Sequence, residues 1–544
     1  MPFNSITFIA FFIIVYTIYR GLPHRAQNIS LLIASYVFFG WWDVRFLFLI
    51  VTSTSLDFTC GLMIHEGFIT KKQRYIISSW IVLSAFLFLV VQWNRLSSGV
   101  LKSMAFWGQL FSWKTGWILF LAIVFLILVI NLIYGRLSHL ETPKKRKLFL
   151  FFSIVGNLTI LGFFKYFNFF IENLEAIIRS LGLNCPSLHL NILLPMGISF
   201  YTFMTMSYTL DVYRSRLKPT KKICEYALYV AFFPKLLAGP IERAGNFLPQ
   251  IIEERNITTD YIKRGIHQVF YGLFKKVVIA DGVAKTVSAV FGATYLVSWA
   301  DAIVGTLLFT FQIYCDFSGY SDIAIGIANL LGFDLMKNFN FPYFARNPSE
   351  FWGRWHISLS SWFRDYVFFP LGGPYGSTFR WIRNVLLTFL VTGLWHGAAW
   401  NYVLWGLYHG IMLCVHRIKE SLRIKKKRSK NPLKKIISIL IFFIFTSLGW
   451  VLFRSHSIGQ IKAIFKVLLF DFGDLKLNAA IPTHAALLGL PLFVIMEFIG
   501  YNSHGKRLDE ALPMPVWTVI YSAMIFLFIL ALANVPSVFI YFVF

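Results

Sequence analysis

The sequence predicts an all-α polytopic integral membrane protein, and three observations carry that prediction. Only 14% of its 544 residues are charged, while 57% are hydrophobic. A soluble globular chain carries about a quarter charged residues, so lipid is the main solvent here. Long uncharged runs recur, such as residues 115–135 between Lys114 and Arg136 and residues 75–94 between Arg74 and Arg95. The basic residues that give a net charge of +26 concentrate in short loops between such runs.

A helix needs about 20 apolar residues to cross the hydrocarbon core. Residues 436–453 and the uncharged tail 511–544 also qualify, and the whole chain holds roughly ten to thirteen spanning or half-spanning segments. The run 3–19 lacks a basic leader region and a small-residue cleavage site, so it is read as a retained helix, not a signal peptide. Three blocks follow: N-terminal helices over 1–180, a more polar core over 181–420, and a basic loop with further helices over 421–544.

Charge sets the expected orientation. A nucleic-acid partner is excluded because the cations flank membrane segments instead of forming one basic face. Lys71-Lys72-Gln73-Arg74 and Lys144-Lys145-Arg146-Lys147 are separated by two spans, so both face the cytoplasm by the positive-inside rule. The same parity reaches Arg20–Arg25 if 28–65 is a helical pair, which places Met1 outside. The cluster from Arg423 to Lys435 is expected inside. Cys60, Cys185, Cys224, Cys315 and Cys414 are scattered without a CxxC pair, which argues for small packing residues over disulfides or zinc. No 20–50-residue repeat stands out and no soluble domain is expected.

Polar residues at membrane depth are costly, and irregular backbone survives there only when buried in protein or lining a wet cavity. The functional site is therefore expected between about 190 and 417, where four polar blocks interrupt apolar sequence. The first, "FFPKLLAGPIERAGNFLPQI" (232–251), has helix breakers at Pro234, Gly239, Pro240 and Pro249 beside Lys235, Glu242 and Arg243. It reads as a re-entrant or interfacial loop in preference to a surface loop. In the second, "QIYCDFSGYSDIAIGIANLLGFDL" (312–335), Gly319, Gly326 and Gly332 permit close helix contact. Asp316 and Asp322 are expected to cap helices or pair with a basic residue, since no third ligand sits at metal spacing.

The third block, "FWGRWHISLSSWFRDYVFFPLGG" (351–373), predicts an amphipathic interfacial helix. Trp352, Trp355, Leu359, Trp362 and Tyr366 form its apolar stripe, and Arg354, Ser358, Ser361 and Asp365 share another face. His356 is either part of that helix's surface or a reactive group. The fourth is "GLWHGAAW" (393–400), within 33 uncharged residues, 384–416. That length exceeds one span and predicts two helices meeting near Gly393–Asn401. His396 then lies at a break, at depth. Either it is a packing histidine satisfied by a carbonyl, or it is a general base, a role a neutral imidazole fills near pH 7. His409 in "WGLYHG" can line the same cavity, while His416 beside Arg417 is expected among headgroups. A serine-nucleophile elbow and phosphate-binding glycine loops are absent.

These four blocks, in this order, resemble the membrane-bound O-acyltransferase family over roughly residues 100–420. Within it, "RDY…PLGG" followed by "GLWHGAAW…WGLYHG" is most similar to the bacterial branch that O-acetylates alginate. The branch that moves D-alanine onto teichoic acids is similar through "GPIER" and "WHISLSSWFRDY". The resemblance implies a helical bundle around a central tunnel, with His396 as catalytic histidine and His356 as a second histidine, replaced by Asn or Asp in other branches. It implies an acyl thioester donor, acetyl-CoA or an acyl-carrier protein, with no tightly bound cofactor and no metal. The implied acceptor is a hydroxyl of an exported or cell-envelope polysaccharide, reached directly or through an extracytoplasmic acyltransferase or esterase-like partner. The implied location is the inner (cytoplasmic) membrane, multi-pass.

Expected substrate contacts are Trp355, Trp395, Lys235, Arg354, Asp365, His409 and Asn401. Lys235 is matched to anionic groups; Arg354, Arg364 and Asp365 also serve to fix the amphipathic helix. The glycines of "GLWHGAAW" let the backbone bend, and Trp395 and Trp400 wall the cavity. A transporter or channel, with the broken helices lining a substrate path, is the alternative from another class.

Overall fold

The computed structural model describes residues 1–91, 93, 114–184, 187–293, 297–422 and 431–532. Cys185, residues 423–430 of the basic cluster and the end of the tail, 533–544, lie outside the described residues. All regular elements among the described residues are helices. Eight are long and apolar enough to cross a membrane. Shorter or more polar helices, including Ile6–Arg20 and the pair flanking His396, make up other segments counted in the sequence.

The chain divides into two compact units. The first comprises Met1–Leu237, Ile241–Asn256 and Leu331–Phe333. At its centre is helix Phe46–His65, buried along most of its length and packed by Thr142–Leu161 and Ile198–Tyr213. Within that contact the Asp57 carboxylate accepts bonds from Ser153 Oγ at 2.5 Å and Asn157 Nδ2 at 2.7 Å. The expected helical pair over 28–65 is His24–Gly40 and Phe46–His65.

The basic loops of this unit gather at one end. Lys145 Nζ donates to the carbonyls of Gly67 (3.1 Å) and Ser138 (2.6 Å), and Arg74 lies over the Tyr134 ring at 4.2 Å. Lys71–Arg74 and Lys144–Lys147 therefore share a side, as the span count requires. Residues 226–242 are buried throughout, although the helix breaks between Ala231 and Ala244. Burial rules out the surface-loop reading of "FFPKLLAGPIER".

The second unit comprises Ala238–Pro240, Ile257–Leu330 and Asp334–Phe544. Its spine is the 32-residue helix Trp299–Leu330, laid against Thr259–Leu273 and the π-helical turn Phe274–Ala280. The contact is close because glycines face each other. A Cβ on Gly272 would sit 2.5 Å from the Gly319 carbonyl oxygen, and one on Gly326 would sit 2.7 Å from that of Gly265. In the π-helical turn Lys275 pairs with Asp322 at 2.8 Å, and Lys276 pairs with Asp316 at 2.7 Å and Asp281 at 2.8 Å. Asp316 and Asp322 are thus neutralised by lysines, as expected.

Candidate active site

Both motif histidines belong to the second unit, and both sit where a helix breaks. Residues 351–373 do not form one amphipathic helix as expected. Pro348–Trp352 ends at Gly353, and a new helix runs Ile357–Phe363. His356 occupies the break in left-handed backbone (φ 41°, ψ 55°), a region uncommon for residues other than glycine. The break is held from outside: Ile357 N donates to the Asn338 carbonyl at 2.8 Å, and Asn340 N donates to the Arg354 carbonyl at 2.9 Å. Ser358, assigned from sequence to the polar face, is fully buried and donates to Asn338 Oδ1 at 2.6 Å. Such backbone bonding to a neighbouring segment overrides the local helical pattern.

His396 is the last residue of helix Thr378–His396, and Trp400–Leu422 returns after Gly397–Ala399. The expected two helices meeting near Gly393–Asn401 are present. They approach closely because a Cβ on Gly393 would overlap the Tyr402 carbonyl and one on Gly406 would overlap that of Phe389. Gly393→Val is expected to force the pair apart and cost ~1–3 kcal/mol or more. Lower yield and thermal midpoint in detergent, against an unaffected Gly459→Ala control, is the measurement.

The two imidazoles converge, with His356 fully buried and His396 3% exposed. Their ring centroids are 6.5 Å apart. The facing nitrogens are therefore no closer than about 4 Å, beyond a direct hydrogen bond, and one reacting group fits between them. Trp395 stands beside both, at 5.0 Å from His396 and 6.0 Å from His356. Edge-on rings complete the walls: Trp405 at 4.9 Å and Phe453 at 5.4 Å from His396, and Phe317 at 4.6 Å from His356. Trp405 and Phe317 lie inside the quoted motifs and were findable there. Phe453 and Asn338 carried no sequence signal, since each acts through a contact remote in the chain.

The remaining candidates are dispersed. Trp355 is packed among Phe351, Phe339 and Trp450 at 5.5, 5.0 and 4.8 Å. His409 is fully buried, one ring beyond Trp405 (4.9 Å), and neither of its nitrogens has a hydrogen-bond partner among the described residues. Asn401 Nδ2 donates to the Phe453 carbonyl at 3.3 Å. Arg354 donates to the Asn340 carbonyl and lies over Tyr501, and Asp365 accepts from Arg364 at 2.9 Å. Lys235 belongs to the first unit, fully buried with its ammonium 4.1 Å from the Phe247 ring and 4.3 Å from that of Tyr229. Trp400 does not wall the cavity. It is 52% exposed, because the helix it begins turns that side outward. His416 is 3.6 Å from Glu420 at the polar end of the same helix.

Residues 105–454, which include both histidines, match the membrane-bound O-acyltransferase family. A "Probable alginate O-acetylase" of Pseudomonas aeruginosa is 34% identical, the alignment covering 92% of this chain and 81% of that one. The chain belongs to the membrane-bound O-acyltransferase family. A peptidoglycan O-acetyltransferase of Helicobacter pylori is 36% identical over 62% of this chain and 68% of its own. A teichoic acid D-alanyltransferase of Bacillus subtilis is 31% identical over 48% and 69%. This multi-pass membrane O-acyltransferase thus works on an acyl donor and an acceptor at the bilayer, and the transporter alternative falls.

Proposed function

We propose that this O-acyltransferase moves an acetyl group from a cytoplasmic thioester to a hydroxyl of an exported or cell-envelope polysaccharide, in the bacterial cytoplasmic membrane. The observation that carries this reading is the buried pair His356 and His396, 6.5 Å apart between helix breaks. A ring nitrogen of His396 takes the acceptor's proton, and the alkoxide oxygen attacks the thioester carbonyl. The new C–O bond forms as the C–S bond breaks, and the proton passes to the leaving thiolate. His356 and Trp395, whose rings stand 6.5 and 5.0 Å from that of His396, stabilise the negative charge that develops on the carbonyl oxygen. The acceptor is the polymer itself or a hydroxyl of an extracytoplasmic acyltransferase or esterase-like partner that completes delivery.

D-alanyl transfer to teichoic acid is the second reading, supported by the shorter likeness to teichoic acid D-alanyltransferases. Alginate O-acetylases align over far more of the chain, which favours acetyl. Mass spectrometry of envelope polymers from cells with and without the protein decides it. The expected result is loss of acetyl ester on deletion. Loss of D-alanyl ester instead, or no ester change, overturns the acetyl reading.

Backbone geometry at His356 yields a graded test. Asn tolerates left-handed backbone and keeps a polar side chain, whereas Val is strained there by roughly 1–2 kcal/mol. His356→Asn is expected to retain measurable acyl transfer and normal yield, and His356→Val to lose both. Equal behaviour of the two variants counts against a polar role at this position.

A further inference from the structure

A cavity of about 280 Å³ opens in the second unit, and neither His356 nor His396 lines it. Its two ends carry opposite charge. At the mouth stand Lys337 and Lys506, both exposed and neither in an ion pair with a described residue. A Cβ on Gly505 would sit 3.9 Å from Lys337 Nζ, so that ammonium lies against the turn that carries Lys506. At the floor, Lys275 Nζ donates to Asp322 Oδ2 at 2.8 Å and lies 4.0 Å from Glu497. The Lys275 side chain is 5% exposed and that of Asp322 19%, so the charge the floor presents is a carboxylate. Glu497 is occupied, accepting from Tyr271 at 2.9 Å and Tyr314 at 2.7 Å. Asp322 Oδ1 has no hydrogen-bond partner among the described residues.

The mouth sits where a lipid-facing helix ends. Helix His484–Asn502 is long and apolar enough to cross a membrane, and its Val494, Ile495 and Phe498 are exposed. Gly500, two residues beyond Phe498, lines the cavity. Lys435, in the basic cluster expected inside, lies over Tyr501 at 5.0 Å, which sets the mouth among the headgroups of the cytoplasmic leaflet. A basic rim between membrane helices at that depth holds lipid phosphate. What this cavity adds is an acceptor below the phosphate. The ligand that satisfies both ends is a zwitterion, a phosphate with a short arm ending in a cationic donor. Choline has no N–H to give Asp322 Oδ1, and a glycerol headgroup has no cation. A primary ammonium forms a charge-assisted hydrogen bond there.

We infer that this cavity binds the phosphoethanolamine headgroup of a membrane lipid, its phosphate on Lys337 and Lys506 and its ammonium on Asp322. The acyl chains then lie along Val494, Ile495 and Phe498. The inner wall includes Asn338 and Ile357, whose backbone bond fixes the His356 turn, so a bound headgroup braces that turn from behind. The assignment does not depend on which acyl group or acceptor the enzyme uses.

The test is lipid binding to the full-length, detergent-purified protein by native mass spectrometry, with dioleoyl lipids that differ only in headgroup. Phosphatidylethanolamine is expected to bind about tenfold or more tighter than phosphatidylcholine, and tighter than phosphatidylglycerol. Along the N-methylated series from ethanolamine to choline, the largest loss is expected at the choline step, where the last N–H disappears. That series reads the ammonium end in the wild type and leaves the Lys275–Asp322 pair undisturbed. Lys337→Ala/Lys506→Ala, checked for unchanged elution and thermal midpoint, is expected to weaken phosphatidylethanolamine binding by a similar factor. The inference is overturned by equal binding of the ethanolamine and choline lipids, by phosphatidylglycerol binding as tightly as phosphatidylethanolamine, or by unchanged binding in the double variant. Displacement of the lipid by equimolar glycerophosphoethanolamine also overturns it, because the ligand is then a soluble headgroup.

Discussion

His396→Ala yields a folded, inserted protein that transfers almost no acyl group. Proton transfer by a positioned base contributes about 10²–10⁴ in rate, and no other imidazole is placed to replace it: His356 stands across the gap and His409 lies beyond Trp405. The measurement is ester content of the envelope polymer, normalised to protein in the membrane fraction. His396→Gln serves as a second variant that keeps side-chain volume against Trp405 and Phe453. A normally active His396→Ala protein would falsify the assignment, whatever the fate of His356.

The second large effect concerns stability. Lys276 holds Asp281 and Asp316 together with little exposure of any of the three. Lys276→Met removes their shared cation and leaves two carboxylates in an apolar core. Breaking a buried ion pair by deleting one partner costs about 3–5 kcal/mol, whereas replacing all partners by neutral groups is often tolerated. Lys276→Met is therefore expected to express poorly and melt well below wild type in detergent. Adding Asp281→Asn and Asp316→Asn is expected to recover most of that loss. If the triple variant is no more stable than Lys276→Met, the instability has another origin than unneutralised charge.

Much of the second unit was readable because its constraints are local. Gly319 and Gly326 announced a close helix contact, and the facing glycines 272 and 265 supply it. The aspartates of "CDFSGYSD" needed cations, and Lys275 and Lys276 provide them. What failed was the helix over 351–373. Its stripe placed Trp355, Leu359 and Trp362 correctly as buried, yet periodicity cannot register a break imposed across the turn by the Asn338 carbonyl, which accepts from Ile357 N, and the Asn340 N–H, which donates to the Arg354 carbonyl. Trp400 failed for a related reason, since one residue of rotation at a helix start decides which side of the hairpin a ring occupies.

Composition, uncharged runs and polar interruptions alone specified a helical membrane protein, its basic-loop parity, the break at "GLWHGAAW" and the acyltransferase motifs. Each depends on the cost of placing a residue type in lipid or at a helix end, which is set by the residue and its near neighbours. Only the tertiary structure brought His356 within 6.5 Å of His396, dispersed Arg354 and Asp365 to other partners, and opened a lysine-rimmed cavity behind the His356 turn. Those outcomes depend on contacts between segments far apart in the chain, and spacing along one segment holds no information about them.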